Sequence, residues 1–216
     1  VATTGNATDF GDLITAVYRG GALSNGVRGL FGGGVSNSGS DVNSIEYITI
    51  ATTGNGTDFG DLTVARYGVK GWSNGTRGIF AGGSIATAAN CVVDFVVVDT
   101  TGNATDFGDL TSHRRNPATS GNETRMIIAG GFDNIGVHSN VIDYLTMATQ
   151  GNATDFGDLT IGRENTSSGI SNLTRAVFAG GSPSTNVIDY IIVATTGNAT
   201  DFGDLTSAKY DVAGAS

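Results

Sequence analysis

The sequence contains little cysteine and little basic charge, and these shortages exclude several classes of protein. Cys91 is the one cysteine among 216 residues, so no disulfide within the chain can staple the fold. It stands in an apolar run, where we expect a small buried hydrophobic residue and not a reactive thiol. Lysine and arginine number 11 against 20 aspartate and glutamate, giving a net charge of −9. Such an acidic chain is unsuited to bind a phosphate backbone, so we expect no nucleic-acid partner.

Long apolar runs, helical periodicity and catalytic motifs are also missing. No run reaches the ~18 apolar residues of a membrane-spanning helix, so no membrane span is expected. The two histidines, His113 and His138, stand at non-equivalent places in the sequence. No nucleophile elbow, metal-spaced His/Cys cluster or phosphate-binding loop occurs. We therefore predict a protein that is not an enzyme and needs no cofactor.

Glycine is plentiful, with 34 residues, and much of it belongs to one repeated phrase. The string "GNATDFGDL" begins at Gly5, Gly102, Gly151 and Gly197, and "GNGTDFGDL" begins at Gly54. Successive copies start 49, 48, 49 and 46 residues apart. A fixed period of this length indicates an array, a solenoid or a propeller.

Each period carries signals for four short strands. The β-branched and aromatic run "VIDYIIV" from Val187 favours a strand, and "RGIFAGG" from Arg77 favours a strand that ends in glycines permitting close approach. An Asn-Gly turn precedes it, after a weaker strand. "TDFGDLT" predicts a short strand whose phenylalanine packs between neighbouring units. That aromatic column is Phe10, Phe59, Phe107, Phe156 and Phe202.

The stretch "ARYGVKGWSNGTRGIFAGG" from Ala65 resembles the kelch pattern, with phenylalanine in "FGDLT" where kelch repeats usually carry tryptophan. The resemblance covers nearly the whole chain. It implies an all-β, kelch-like β-propeller of four, or alternatively five, four-stranded blades with a ~48-residue repeat. We predict one domain over residues 1–216, with repeats at about 14–62, 63–110, 111–159 and 160–205 and partial units at 1–13 and 206–216.

Charged residues repeat inside the strand-like runs. An arginine precedes each glycine pair, at Arg28, Arg77, Arg125 and Arg175, and an acid occupies each "VIDY"-like run, at Glu46, Asp94, Asp143 and Asp189. A second basic column follows the phrase, at Arg66, Arg114, Arg163 and Lys209, with Val17 in the first unit. We take the Arg28 column and the Glu46 column as structural ion-pair columns that join strands or units. A ligand-binding ring of arginines is the alternative.

Two aspartates in each phrase allow two interpretations. Their side chains can fix a turn through local hydrogen bonds, or the loop can hold Ca²⁺ through oxygen ligands. The phrase lacks the glycine and terminal glutamate of an EF-hand, so calcium is the less favoured alternative. The candidates for Ca²⁺ are Asp9, Asp12, Asp58, Asp61, Asp106, Asp109, Asp155 and Asp158.

The connection after each glycine pair varies freely while the rest of the repeat does not. It runs "VSNSGSDV" from Val35, "SIATAA" from Ser84, "FDNIGVHS" from Phe132 and "SPST" from Ser182. Variable loops on a repeated scaffold form the natural recognition surface, although they can equally be indifferent solvent loops. The ligand-binding candidates are Asn37, Ser84, Phe132, His138 and Ser182.

Units such as "NVIDYIIVATTGNATDFGDLT" from Asn186 are similar to repeats in tail-fibre or virion-surface proteins of marine bacteriophages. That resemblance implies a structural and recognition module on a virion or extracellular surface, oligomeric, binding a host-surface glycan or protein and other virion subunits. The alternative is a subunit of an extracellular filament or surface layer assembled by strand exchange. A kelch-type enzyme is a third hypothesis.

Overall fold

The computed structural model describes residues 6–164 and 169–211, and this part of the chain is all-β. It contains strands, turns and bends, and within the described ranges no helix of a length and apolarity that could cross a membrane is found. The strands form four antiparallel sheets and one short hairpin. The first three sheets lie within residues 14–62, 63–110 and 111–159, and the fourth begins within residues 160–205 and continues past them to Lys209.

The first sheet contains β1 (Val17–Tyr18), β2 (Gly21–Ser24), β3 (Arg28–Ser36), β4 (Asp41–Thr49) and β5 (Thr57–Asp61). The second repeat contains β6 (Lys70–Ser73), β7 (Arg77–Ala81), β8 (Ser84–Ile85), β9 (Ala88–Ala89), β10 (Val92–Val97) and β11 (Thr105–Asp109). The strands β8 and β9 form the hairpin, and β6, β7, β10 and β11 pair in that order into the second sheet.

The third sheet contains β12 (Ala118–Gly121), β13 (Arg125–Ala129), β14 (Val141–Thr146) and β15 (Thr154–Asp158). The fourth contains β16 (Ile170–Ser171), β17 (Arg175–Ala179), β18 (Thr185–Ile192) and β19 (Thr200–Lys209). Both are meanders in which each strand pairs with the next along the chain. The predicted strand types are confirmed: the "VIDY"-like runs form β10, β14 and β18, and the phrase forms the last strand of each sheet.

A β-bulge recurs at the same place in every sheet. In the third sheet Ile142 pairs with Gly157 and Asp143 pairs with Asp155, so Phe156 is the extra residue on its strand. A bulge turns side chains out of strict alternation and increases the local twist. In this sheet Phe156 and the neighbouring acid, Asp143, are both buried.

Apolar side chains pack between successive sheets and not inside one sheet. Phe59 of the first sheet clusters with Phe80 and Val96 of the second, and Phe156 of the third clusters with Phe178 and Ile191 of the fourth. Phe59, Phe107 and Phe156 are each at most 3% exposed, as the sequence predicts. The prediction is wrong for Phe202, which is 56% exposed.

The glycine pairs bring each sheet against the backbone of the following unit. Gly82 has a φ of +65°, and a Cβ there would lie 2.6 Å from the carbonyl oxygen of Arg114. The amide of the next residue, Gly83, donates to that same oxygen at 3.0 Å. A side chain at Gly82 would separate the two units, so the close approach requires glycine.

The first strands of successive sheets lie side by side, because β2 contacts β6, β6 contacts β12 and β12 contacts β16. Equivalent residues just before them form a row. Gly68 donates its amide to the carbonyl of Arg19 at 2.8 Å, and Asn116 donates to the carbonyl of Gly68 at 2.8 Å. All three have positive φ, and Asp211, which occupies the same place in the repeat, has a φ of 50°.

Candidate functional site

The variable connections of the first three units meet in one continuous surface, which we call the loop surface (residues 36–41, 84–91 and 132–140). Asp41 of the first loop accepts a hydrogen bond from the amide of Ala86 in the second at 2.7 Å. Asn134 of the third loop donates to the carbonyl of Ala89 at 2.9 Å and accepts from the amide of Ala89. The loops therefore order one another across unit boundaries.

The third loop is the most elaborate part of the loop surface. The Phe132 and His138 rings meet edge to face with centroids 5.0 Å apart, and the guanidinium carbon of Arg115 lies 4.7 Å from the centroid of Phe132. Asp133 accepts hydrogen bonds from the amides of Ile135 and Val137 at 2.9 and 2.8 Å, which fixes the tip. A preformed loop of this kind loses little conformational entropy when it binds a partner.

The tip of that loop presents apolar side chains to solvent. Ile135 is 84% exposed and Val137 is 51% exposed, and both lie between Phe132 and His138 in the sequence. The sequence prediction included the two rings and omitted the two aliphatic residues. Their signal was available, because Ile135 and Val137 are apolar residues in an otherwise polar turn.

The other predicted ligand residues are placed differently. Asn37 is exposed at the turn between β3 and β4. Ser84 is fully buried and its backbone pairs with Tyr67, so the prediction that it contacts a ligand is wrong. Ser182 is half-buried and bridges to Glu164 through two backbone hydrogen bonds. Of the five candidates, Phe132 and His138 contact each other directly.

The acidic column forms buried ion pairs with the second basic column. Arg66 donates to Asp94 at 2.8 Å, Arg163 donates to Asp189 at 2.6 Å, and Arg114 pairs with Asp143. These side chains are completely buried. Burial lowers the pKa of the Arg114 guanidinium, and the neighbouring Asp143 carboxylate opposes that change. Buried charges of this kind are stable only while they are paired and hydrogen-bonded.

The first arginine column makes a different contact, which corrects the sequence prediction. Its arginines stack on the aromatic residue of the adjacent strand: Arg28 on Tyr47, Arg77 on Phe95, Arg125 on Tyr144 and Arg175 on Tyr190, at 4.5 to 5.4 Å. Arg125 also donates to the carbonyl of Val193 in the next unit at 3.0 Å. The guanidinium group of arginine has a flat face that suits an aromatic ring. Its N–H group donates to a backbone carbonyl here and not to a carboxylate.

The first unit replaces the ion pair with backbone hydrogen bonds. Val17 stands where the other units have arginine, and the amides of Ile14 and Thr15 donate to the Glu46 carboxylate at 2.7 and 3.0 Å. In the second unit the corresponding acid is Asp94, which accepts from the amide and the hydroxyl of Thr63 at 3.0 and 2.6 Å. Glutamate has the longer side chain, and in the first unit it accepts from two backbone amides instead. A buried carboxylate can thus be satisfied without an arginine partner.

Successive copies of the phrase bind each other side by side. Each copy has a GNA segment (Gly-Asn-Ala, or Gly-Asn-Gly in the second copy) followed by an FGD segment (Phe-Gly-Asp). The amides of Gly151 and Ala153 donate to the carbonyls of Phe107 and Asp109 at 2.8 and 2.7 Å. In return, the amide of Asp109 donates to the Asn152 side chain at 3.1 Å. The GNA segment of each copy therefore rests on the FGD segment of the copy before it.

The same contact occurs at all four junctions, and it explains why the phrase is repeated so faithfully. The remaining three junctions pair residues 54–56 with 10–12, 102–104 with 59–61 and 197–199 with 156–158. At each, the FGD glycine has a φ between 141° and 143° and a Cβ would approach the following glycine to within 2.4 to 2.6 Å. Both halves of the phrase must be kept because each copy is bound on one side and binds on the other.

The calcium candidates lie in these segments. In three copies the first aspartate accepts from the amide two residues later: Asp9 from Gly11 at 3.1 Å, Asp106 from Gly108 at 3.2 Å and Asp201 from Gly203 at 2.8 Å. At the four junctions the second aspartate takes part through its backbone. In residues 6–164 and 169–211 no group of three or more His, Cys, Asp and Glu side chains that could hold a metal occurs. The hydrogen bonds of these aspartates include turn and junction contacts.

We expect that Asn103→Ala destabilises the protein by about 1 kcal/mol, because the Asp61 amide loses its acceptor at 3.0 Å. The matched control is Asn6→Ala. Asn6 has the same sequence neighbours and is exposed, so its removal should leave the free energy of unfolding unchanged. Urea denaturation of both variants checks the prediction, and equal effects of the two substitutions would contradict the junction.

A second concave region lies among the turns that join the first two strands of the sheets, and sequence reasoning missed it. Trp72, Gly121 and Leu173 line a groove of about 370 Å³ together with the turn asparagines Asn74 and Asn122. Trp72 is the one tryptophan of the chain, at a place where the first unit has Leu23. A residue that breaks the repeat was the available signal.

Comparison with known proteins adds no assignment to this geometry. No family model matches the sequence, and a search of curated proteins finds no match.

Proposed function

We propose that this protein is a non-enzymatic recognition module, built as a kelch-like propeller, on a virion or extracellular surface. Its ligand is a host-surface glycan or protein, bound through the loop surface. Its other partners are subunits of the same assembly. The observation that carries the proposal is the hydrogen bonding of sequence-variable loops into one preformed surface on a scaffold whose units otherwise repeat.

The propeller interpretation is supported by the residues that occupy the same place in each repeat, just before β2, β6 and β12. Arg19, Gly68, Asn116 and Asp211 line one cavity of about 250 Å³, together with Lys70. Members from the first and last units of the row thus share a space, as residues around a central axis do. Lys70 and Asp211 both line this cavity, where burial lowers the pKa of Lys70 and the charge of Asp211 opposes the change.

The chemistry of the third loop suits a glycan or an apolar protein surface. Partly buried rings at Phe132 and His138 offer faces and edges to a sugar ring, while Ile135 and Val137 offer an exposed apolar tip. The surface location on a virion rests on the resemblance of the repeats to tail-fibre and virion-surface proteins. Several copies of the chain in one assembly would bind by avidity.

The test is a glycan array and a host-cell binding assay with the 216-residue chain. We expect binding that falls at least about tenfold in Phe132→Ala, the loss of roughly 1.4 kcal/mol. The matched control is Trp72→Ala, which removes a ring from the other concave region and should leave binding unchanged. Loss of binding in Trp72→Ala alone would move the site to the Trp72 groove, and silence on arrays and cells would contradict recognition.

The second candidate is a subunit of an extracellular filament or surface layer. It is favoured by a different observation, the 56% exposure of Phe202 at the last copy of the phrase. Electron microscopy of the purified protein separates the two candidates, because a filament subunit forms fibres without other components.

A further inference from the structure

The fifth copy of the phrase has an FGD segment (residues 202–204) with no GNA segment bound to it among the described residues. An added methyl group at Gly203 would meet no atom within 4 Å, although its φ of +132° is close to that of the four bound glycines. Phe202 is 56% exposed, against 2% for Phe156 in the preceding copy. The conformation of the bound segments is thus already present at residues 202–204, and no described residue covers it.

The first copy presents the matching half. Asn6 and Ala7 are exposed, whereas Ala104, which occupies the same place in the third copy, is buried. The sequence "VATTGNAT" at residues 1–8 is identical to residues 193–200, which include the GNA segment bound to the fourth copy. Among the described residues, one FGD segment therefore has no GNA segment bound to it, and Asn6 and Ala7, of the sequence that binds such a surface elsewhere, are exposed.

We infer that two copies of this chain associate head to tail, the GNA segment of the first phrase in one chain binding the FGD segment of the fifth phrase in the other. The four internal junctions give the contacts. The amide of Ala7 donates to the carbonyl of Asp204, the amide of Asp204 donates to the Asn6 side chain, and the Ala7 methyl group covers Phe202. The proposed occupant is a second copy of the 216-residue chain, because Asn6 and Ala7 have the sequence that binds this surface at the internal junctions, and they and Phe202 are exposed.

The two surfaces differ, so the contact is heterologous, and each bound pair retains one free surface of each kind. Such contacts continue into an open chain of subunits or close into a ring of subunits. The contact supplies the interface that the filament candidate needs and is independent of ligand recognition by the loop surface. A protein silent on glycan arrays would still associate in this way.

Cysteine cross-linking tests the contact directly. In a Cys91→Ser background, one chain carries Ala7→Cys and another carries Asp204→Cys, and the two are mixed under mild oxidation. We expect covalent heterodimers that neither single variant forms alone. The internal control is Asp61→Cys with Ala104→Cys in one chain, which occupies the same positions at an existing junction. Failure of this control would contradict the junction geometry and overturn the inference.

The variant that carries both Ala7→Cys and Asp204→Cys distinguishes association from closure within one chain. Head-to-tail association predicts a ladder of covalent multimers on a denaturing gel. A cross-linked monomer without multimers would overturn the inference, because the chain would then bind its own first copy. The absence of any cross-link, with the internal control formed, would overturn it as well.

Sedimentation velocity gives a test without cross-links. Gly203→Ala should lower the association constant at least about tenfold, because at the internal junctions a Cβ at this place would approach the following glycine within 2.6 Å. Gly26→Ala is the control, since Gly26 also has positive φ and nothing within 4 Å but lies outside the junctions. Equal association of both variants would contradict the contact.

Discussion

Gly108→Ala is expected to destabilise the protein by at least about 3 kcal/mol more than Gly203→Ala, because it breaks a junction between copies of the phrase. A Cβ at Gly108 would lie 2.6 Å from the carbonyl carbon and oxygen of Gly151. The third and fourth copies would have to separate. The hydrogen bonds from Gly151, Ala153 and Asp109 across that junction would be lost together.

Gly203→Ala is the matched control for this prediction. Both glycines belong to the same tripeptide, with φ values of +142° and +132°, and each substitution carries the backbone strain of about 1–3 kcal/mol that a side chain suffers there. The two sites differ in what surrounds them, since a Cβ at Gly203 would meet no described residue within 4 Å. Urea denaturation of dilute protein measures the difference. Equal destabilisation would mean that strain alone keeps these glycines and that the junctions contribute little.

Asp143→Ala is expected to destabilise the protein by about 3–5 kcal/mol, the cost of leaving a buried partner charge alone. Asp143 pairs with the completely buried Arg114 and also accepts from the amide and hydroxyl of Thr111 at 3.0 and 2.7 Å. Alanine removes all of these acceptors at once. Arg114 would keep one weak contact, to the carbonyl of Val141 at 3.2 Å.

The comparison is Arg125→Ala, which tests whether the two arginine columns differ as the structure indicates. Arg125 stacks on Tyr144 and donates to one carbonyl, so its removal should cost about 1–2 kcal/mol. Chemical denaturation followed by the fluorescence of Trp72, in the adjacent sheet, measures both variants. A larger loss of unfolding free energy for Arg125→Ala than for Asp143→Ala would contradict this assignment. It would favour the ion pair with the Arg125 column that the sequence predicted.

The strands could be predicted because their signals are local. Runs such as "VIDYIIV" contain β-branched and aromatic residues at one place in every period, and they form β10, β14 and β18. The burial of Phe59, Phe107 and Phe156 also followed from a hydrophobic residue recurring in every unit. Phe202 is exposed although the local sequence of its copy matches that of the others. The burial of this phenylalanine depends on contacts with a neighbouring unit, and the local sequence does not report those contacts.

The choice between the two arginine columns could not be made from spacing. Arg125 and Arg114 both recur with the period of Asp143, so periodicity favours neither. Strand register decides it, because Arg125 lies opposite Thr146 at the far end of its strand while Asp143 lies opposite Ile128. Ser84 was misjudged for a similar reason, since a short backbone pairing with Tyr67 buries a residue that the sequence places in a variable loop.

The junctions between phrases were missed although their signal was present. The aspartates and asparagines were read as turn chemistry within one copy, and they do fix turns, as Asp106 does. Identity of both halves of the phrase in four copies demands more than a turn, because turn residues tolerate exchange among Asn, Asp and Ser. The GNA and FGD segments bind each other between copies, so a change in either segment would disturb a junction.

Amide hydrogen exchange of four alanines tests the central claim most directly. Ala7, Ala104, Ala153 and Ala199 each follow asparagine and precede threonine in the same phrase, so their intrinsic exchange rates are the same. In dilute protein we predict slow exchange at Ala104, Ala153 and Ala199, whose amides are bound to the preceding copy, and fast exchange at Ala7. Four equal exchange rates would contradict the binding of each copy to the one before it.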